Sequence, residues 1–199
     1  MQQAALFETE LDFFCLDDSF LAPVEACRLT SSLWDQLQWS QFEITLFGRT
    51  VAQPRLSAWY GDPEARYRYS GLQLEPLPWH PLLLELKNRV ENACRHEFNS
   101  VLANAYRSGE DSMGWHSDDE PELGAKPLVA SLSLGAERRF LVRRKGESKS
   151  GGFRLGNGSL LVMKHGCQEN YQHALPKTRK PVGLRINLTF RRIKGQLPP

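Results

Sequence analysis

The stretch RINLTFRR (residues 185–192) alternates without a break. On an extended chain Ile186, Leu188 and Phe190 point to one side, and Arg185, Asn187, Thr189 and Arg191 to the other. On an outer sheet face such a polar row is routine. Here two guanidiniums share the row with an amide and a hydroxyl between them. If that row turns inward, the arginines need anionic partners, because a buried charge is tolerated only when paired. Arg binds carboxylates bidentately, so an inward row is a ready clamp for a dicarboxylate.

The segments around it fit a sandwich or barrel. After about residue 100 the chain reads as short strands: VLANAYRS (101–108), PLVASLSLG (127–135), RRFLVRRK (138–145), GGFRLG (151–156), SLLVMK (159–164) and VGLRINLTFRRI (182–193). Gly, Pro, Ser, Asn or charged turns separate them. In the first of these strands Asn104 and Tyr106 share a face, a second polar pair for the same anion.

Before residue 100 the periodicity is helical. Residues 23–39 place Ala26, Leu29, Leu33, Trp34 and Leu37 at helix spacing, and residues 81–98 do so with Leu83, Leu86, Val90, Ala93 and Cys94. Each segment opens on a proline, which suits the first turn of a helix. Between them, residues 41–50 alternate as a strand and break at Phe47-Gly48, the expected tip of a hairpin. The pattern predicts a single domain with a β-sandwich core and two helices packed on one outer face.

Composition sets the limits. A chain of 199 residues with 41% hydrophobic side chains and a mean hydropathy of −0.45 is expected to fold as one globular unit. No stretch approaches the roughly 20 apolar residues of a membrane helix, and the first residues do not read as a secretory signal. Cys15, Cys27, Cys94 and Cys167 form no C-x-x-C pair and are expected to be reduced and mostly buried. The first 99 residues carry 8 basic and 14 acidic side chains, the remainder 17 and 9. That asymmetry points to an anionic partner such as a polyphosphate backbone, the alternative being a solvated cationic face.

One more segment carries chemistry. GWHSDDEPELG (114–124) holds His116 and Asp118 two residues apart, so on an extended backbone both converge on one point. With a second histidine they would form the two-histidine, one-carboxylate triad of non-haem Fe(II) oxygenases. His165 and His173 follow the motif, and His173, beside Tyr171 and ahead of a Leu-Pro turn, is the better placed.

His116-x-Asp118, His173, Asn104-x-Tyr106 and Arg185-x-Asn187-x-x-x-Arg191 together resemble the AlkB family, over about residues 40 to 193. The resemblance implies a mostly β, α+β chain: a double-stranded β-helix (jelly-roll) core at about 100–193, preceded at about 1–99 by two helices packed on one sheet and a substrate-lid hairpin. It implies an Fe(II)- and 2-oxoglutarate-dependent dioxygenase, with O₂ as co-reactant and alkylated DNA, or RNA, as substrate. Bases such as 1-methyladenine and 3-methylcytosine would be restored with release of formaldehyde, succinate and CO₂. His116, Asp118 and His173 would bind iron. Asn104, Tyr106, Arg185, Asn187, Thr189 and Arg191 would hold 2-oxoglutarate, with Arg185 and Tyr106 on its distal carboxylate.

The same resemblance makes Tyr67 and Tyr69 contacts of the flipped base and Phe47, in the tip Phe47-Gly48-Arg49, the wedge that enters a duplex. Asp119 and Glu120 would meet the base's exocyclic nitrogen, and Arg55 would bridge to those acids. Trp115 has no assigned role; a core or barrel-mouth indole is expected. A monomer is expected, cytoplasmic or nucleoid-associated in a bacterium and nuclear in a eukaryote. The rival readings are an oxygenase of the same type acting on a protein side chain, a lipid or a small molecule, and an inactive jelly-roll binding module.

Overall fold

The computed structural model describes residues 11–46, 49–69 and 72–194, and for residues 11, 44–46, 49, 67–69 and 72–74 the backbone alone. In chain order the first elements are β1 (Phe14–Asp17), α1 (Pro23–Gln36), β2 (Glu43–Leu46), β3 (Arg49–Ala52) and β4 (Leu56–Gly61). There follow β5 (Tyr67–Tyr69), β6 (Leu72–Leu74), α2 (Pro81–Cys94), β7 (Ser100–Tyr106) and β8 (Met113–His116). The rest are β9 (Val129–Gly135), β10 (Arg138–Arg144), β11 (Gly151–Leu155), β12 (Ser159–Met163), α3 (Cys167–Asn170), β13 (Tyr171–Leu175) and β14 (Arg185–Arg191).

Two antiparallel sheets form the core of a jelly roll. The larger has the order β1-β12-β9-β14-β7-β4, the smaller β11-β10-β13-β8. β14 lies in the middle of the large sheet, paired with β7 and with β9. Its apolar row faces out onto the helices: Ile186, Leu188 and Phe190 are fully buried with Leu29 and Leu33 of α1 and Leu83, Leu86 and Val90 of α2. The predicted placement of both helices on one sheet therefore holds. Burial of side chains this size stabilises the fold by roughly 1.5–3 kcal/mol each.

The inner face of the large sheet changes character along its length. Toward one end Val129, Leu161 and Met163 meet Phe140, Val142 and Leu155 of the small sheet in a second apolar core. On the middle strands Ser131 and Ser133 replace apolar side chains and face Asn187 and Arg185. This switch from apolar to polar on one inward face creates a cavity instead of a packed interior.

Local differences from the sequence reading have physical reasons. Both helices end earlier than predicted, at Gln36 and Cys94. Leu37 turns extended (ψ 149°), and Arg95 takes a left-handed conformation (φ 50°). Leu37 and Phe98 are still buried, so the apolar pattern continues beyond the helical backbone. β1, β4 and β13 were not expected as strands; β4 is buried on both sides of its chain and so lacks a two-residue alternation. The hairpin β2–β3 forms with Leu46 opposite Arg49, and its tip, Phe47-Gly48, lies outside the described residues. The four cysteines are free, as expected, but not mostly buried: Cys15 and Cys27 are exposed, Cys94 is half-buried and Cys167 alone is buried.

Candidate metal and cosubstrate site

His116 ends β8 directly opposite His173 of β13, and a bulge puts it there. Met113 pairs with Leu175 and His116 with His173, so Gly114 and Trp115 together oppose Ala174. The extra residue reverses the alternation, and both Met113 and His116 line the cavity. The His116 ring contacts the Gly114 carbonyl through Nδ1 at 2.8 Å. A carbonyl only accepts, so in the neutral ring Nδ1 carries the proton and Nε2 is the atom left to bind a metal.

Asp118 follows in an extended segment, 2% exposed. Its backbone N–H donates to Gln168 Oε1 (2.9 Å), and Ser117 donates to the Tyr171 carbonyl (2.8 Å). The ligand atoms of His116, Asp118 and His173 all lie within 4.8 Å of one another. The His116 and His173 ring centroids are 4.2 Å apart, and Phe140 stacks on the other side of His173 at 5.2 Å.

The electrostatics prepare these groups for a cation. Burial acts to raise the Asp118 pKa, but Arg191, His173 and His116 together hold it below the usual carboxylate range. Arg191 donates to Asp118 Oδ1 at 2.6 Å. His173 is pushed down to about 3 by burial, then by His116 and Arg191, with Asp118 opposing. It is therefore neutral at neutral pH, the form that binds metal. A carboxylate and two neutral imidazoles are the donor set of a divalent transition ion with positions left open.

The inward row of β14 borders the same cavity with Asn104, Tyr106 and Ser131. Arg185 is 1% exposed and donates to Ser133 (2.9 Å) and Asn187 (2.9 Å), with its guanidinium 5.3 Å from the Tyr106 ring. No carboxylate pairs with it among the described residues, and its Nε is buried without a hydrogen-bond partner. Burial lowers its pKa to about 10, Arg138 contributing and Tyr106 opposing, so it stays charged. A buried cation with an orphaned donor beside a metal-type triad fits the carboxylate of an anionic cosubstrate. Asn187 receives from Ser131 and donates to Thr189 (2.7 Å), which fixes the amide's orientation.

Asn104, Tyr106, His116, Asp118, His173, Arg185, Asn187, Thr189 and Arg191 are thus brought together as the sequence reading expects. His165 is not among them; its ring lies 5.9 Å from that of His96 and its Nδ1 contacts the Lys126 carbonyl. Arg55 departs from expectation. It does not reach Asp119 or Glu120 but donates to Asn104 Oδ1 (3.0 Å) and the Ser112 carbonyl (3.4 Å), because it is buried just before β4, which pairs with β7. Asp119 is exposed and pairs instead with Lys145 (2.9 Å). Trp115 lies under the Arg143 guanidinium at 4.2 Å, half-buried on the small sheet.

Sequence reasoning missed Gln168, Phe140, Ser57, Ser131 and Ser133. The two serines were visible as a polar pair at i, i+2 inside the apolar run VASLSLG. Gln168 comes from α3, 50 residues from its partner, with no local signal.

A two-sheet jelly roll that gathers one carboxylate, two imidazoles and a buried arginine in one cavity defines a class of metal-dependent oxygenase. Comparison with known proteins agrees: residues 14–191 match the family model described as the 2OG-Fe(II) oxygenase superfamily. Human "Alpha-ketoglutarate-dependent dioxygenase alkB homolog 3" is 41% identical over 201 residues, spanning 96% of this chain and 70% of that protein. Human "DNA oxidative demethylase ALKBH2" is 40% identical over 158 residues, spanning 75% of this chain and 60% of that protein. Among solved structures, OsALKBH1 matches with a TM-score of 0.63 at 19% identity, covering 90% of this chain and 96% of that chain. A prolyl hydroxylase from Trichoplax adhaerens matches at 0.62 and 14% identity, covering 92% and 86%. The chain belongs to the 2OG-Fe(II) oxygenase superfamily and, within it, to the AlkB family. It is an Fe(II)- and 2-oxoglutarate-dependent dioxygenase.

Proposed function

We propose that this enzyme removes N-linked methyl groups from nucleic-acid bases such as 1-methyladenine and 3-methylcytosine, in DNA and in RNA, releasing formaldehyde. The observation that carries the reading is Arg185, a buried cation without a carboxylate partner among the described residues, facing the same cavity as the His116, Asp118 and His173 triad. Relatives named as oxidative demethylases of DNA supply the substrate class.

In this reading His116, Asp118 and His173 hold Fe(II), which with 2-oxoglutarate and O₂ supplies the oxidising power for hydroxylating the methyl group. Arg185 and Tyr106 take the distal carboxylate of 2-oxoglutarate. Asn187 and Thr189 line its path, and Arg191 and Asn104 orient its other end. Arg191 also holds Asp118 through a charge-assisted bond, so one oxygen of that carboxylate is engaged and the ligand is oriented. Asp119 and Glu120, which follow Asp118 directly in the chain, would meet the exocyclic nitrogen of the base. The target base must leave the stack to bring its methyl group to the metal. Tyr67 and Tyr69 stack on the flipped base, and Phe47 takes its place in a duplex. A methylated pairing edge already weakens pairing, which lowers the cost of flipping.

Fe(II) and 2-oxoglutarate added without oxygen are expected to give a weak visible charge-transfer band, absent in His116→Ala. With oxygen, oligonucleotides carrying 1-methyladenine or 3-methylcytosine should yield formaldehyde and the restored base. Succinate without repair on any alkylated strand would favour a protein, lipid or small-molecule substrate. Matched single- and double-stranded DNA and RNA separate strand preference: Phe47→Ala is expected to lose duplex activity and keep single-strand activity.

A further inference from the structure

Behind Tyr106 lies a second buried guanidinium. Arg138 opens β10, is 3% exposed, and donates to the carbonyls of Ser108 (3.0 Å), Asp111 (3.0 Å) and Pro176 (2.7 Å). All three acceptors are neutral. The carboxylate of Asp111 is engaged by Arg107, through its backbone N–H at 2.8 Å and its guanidinium at 2.7 and 2.9 Å. Arg138 therefore carries a charge held in place without an ion pair of its own among the described residues.

Its position bears on the cosubstrate. The Arg138 guanidinium sits 6.0 Å from the centroid of the Tyr106 ring, which Arg185 approaches to 5.3 Å. Tyr106, Arg185, Met113 and Leu175 line the cavity; Arg138 stands one layer behind them. Ser108 and Asp111 belong to the loop leaving β7 just after Tyr106, and Pro176 follows Leu175 directly. Arg138 thus staples two segments of the cavity wall, the loop after β7 and the end of β13, to the start of β10. Its charge also reaches Arg185, acting to lower that guanidinium's pKa. Two cations around one ring, with Asp111 already engaged by a third, leave the Tyr106 end of the cavity positive.

We infer that Arg138 is a positioning and selectivity residue: its charge adds to that of Arg185, so the cavity favours a 2-oxo acid ending in a second carboxylate over one ending in a methyl group. The inference rests on the assignment of this cavity to 2-oxoglutarate. A staple alone would stiffen the wall for both kinds of acid; a charge discriminates between them.

The test is calorimetric titration of the Mn(II)-loaded protein with 2-oxoglutarate and with 2-oxopentanoate, which has the same chain length but ends in methyl. Arg138→Met is expected to weaken 2-oxoglutarate about tenfold and to leave 2-oxopentanoate within about twofold, since a unit charge at this range acts mainly on a charged group. Arg138→Lys keeps the charge, and most of the preference should survive. Asp111→Asn removes the opposing charge and should strengthen the preference. Equal weakening of both acids in Arg138→Met, or an unchanged preference, overturns the inference. If Arg138→Met does not fold, Asp111→Asn decides: a preference that does not rise overturns it. Wild-type protein that binds neither acid would remove the cosubstrate assignment itself, a different failure from a wild type that binds 2-oxoglutarate and variants that do not discriminate.

Discussion

A histidine sealed in a polar cavity must stay neutral to serve as a ligand, and for His173 neutrality has a measurable cost. Its folded pKa of about 3 lies below the ordinary 6.5. The unfolded chain therefore takes up the proton first as pH falls. Stability is complete above about pH 6.5 and is lost progressively toward pH 3, with a slope of at most about 1.4 kcal/mol per pH unit. Denaturant titrations of metal-free protein across this window should show that slope, and His173→Gln should flatten it. An equal slope in both proteins would mean the imidazole is protonated in the native state. Gln168 offers a second test. Its Oε1 accepts the Asp118 N–H, and both groups are buried. Gln168→Ala is expected to lower metal affinity about 10–100-fold while one ion still binds, as loss of a group that orients a ligand does. Metal titration of the two proteins measures it.

Among the elements, α2 shows how a helix end can be improved. Arg95 caps it in the left-handed region, where a side chain costs about 1–2 kcal/mol and glycine costs little. Arg95→Gly should raise stability by about 1 kcal/mol, read from the denaturation midpoint. Gly135 is the reverse case. It has φ 81°, and a Cβ there would meet the Leu184 carbonyl at 2.3 Å, so Gly135→Ala should destabilise by more than about 1 kcal/mol. The strands around it show what the sequence can and cannot reveal. β14 was legible because its two faces differ in every residue, and the arginines on its inner face led to the site. β13 was not, although it carries a ligand: Tyr171, His173, Ala174 and Leu175 are buried on both faces, which erases alternation. The Arg55 contact was misread for a related reason. Sequence places Arg55 near the acids along a family pattern, but only the pairing of β4 with β7 brings it beside Asn104.

For the molecule as a whole, the large sheet is a partition shared by two regions. Helices pack one side of β7, β9 and β14 and the cavity occupies the other, so damage to the core reaches the site across a single layer of strands. Phe190→Ala, at a fully buried position, is expected to cost about 3–5 kcal/mol. In a chain of this size that is a fall of roughly 6–20 °C in Tm, at about 2–4 °C per kcal/mol. Ligands should act in the opposite direction. A metal at a hundred times its Kd stabilises the folded state by about 2.7 kcal/mol, a rise of roughly 5–10 °C. Thermal melts with and without Mn(II) should show that rise in wild type and lose it in Asp118→Asn. A rise that survives in the variant would place the metal elsewhere.

The bulge in β8 has a consequence for how this enzyme can vary. His116 faces the cavity because two residues, Gly114 and Trp115, are matched against one. Aim set in this way is counted in whole residues, so it tolerates exchange of the side chains there far better than a change in their number. Deleting Gly114 would turn one ligand through half a period toward the opposite face, a loss of the triad that no adjustment of rotamers could recover. Substitution libraries across 114–115 should therefore retain metal binding where single-residue deletions abolish it, and natural variation at this point should run to replacement and avoid insertion and deletion.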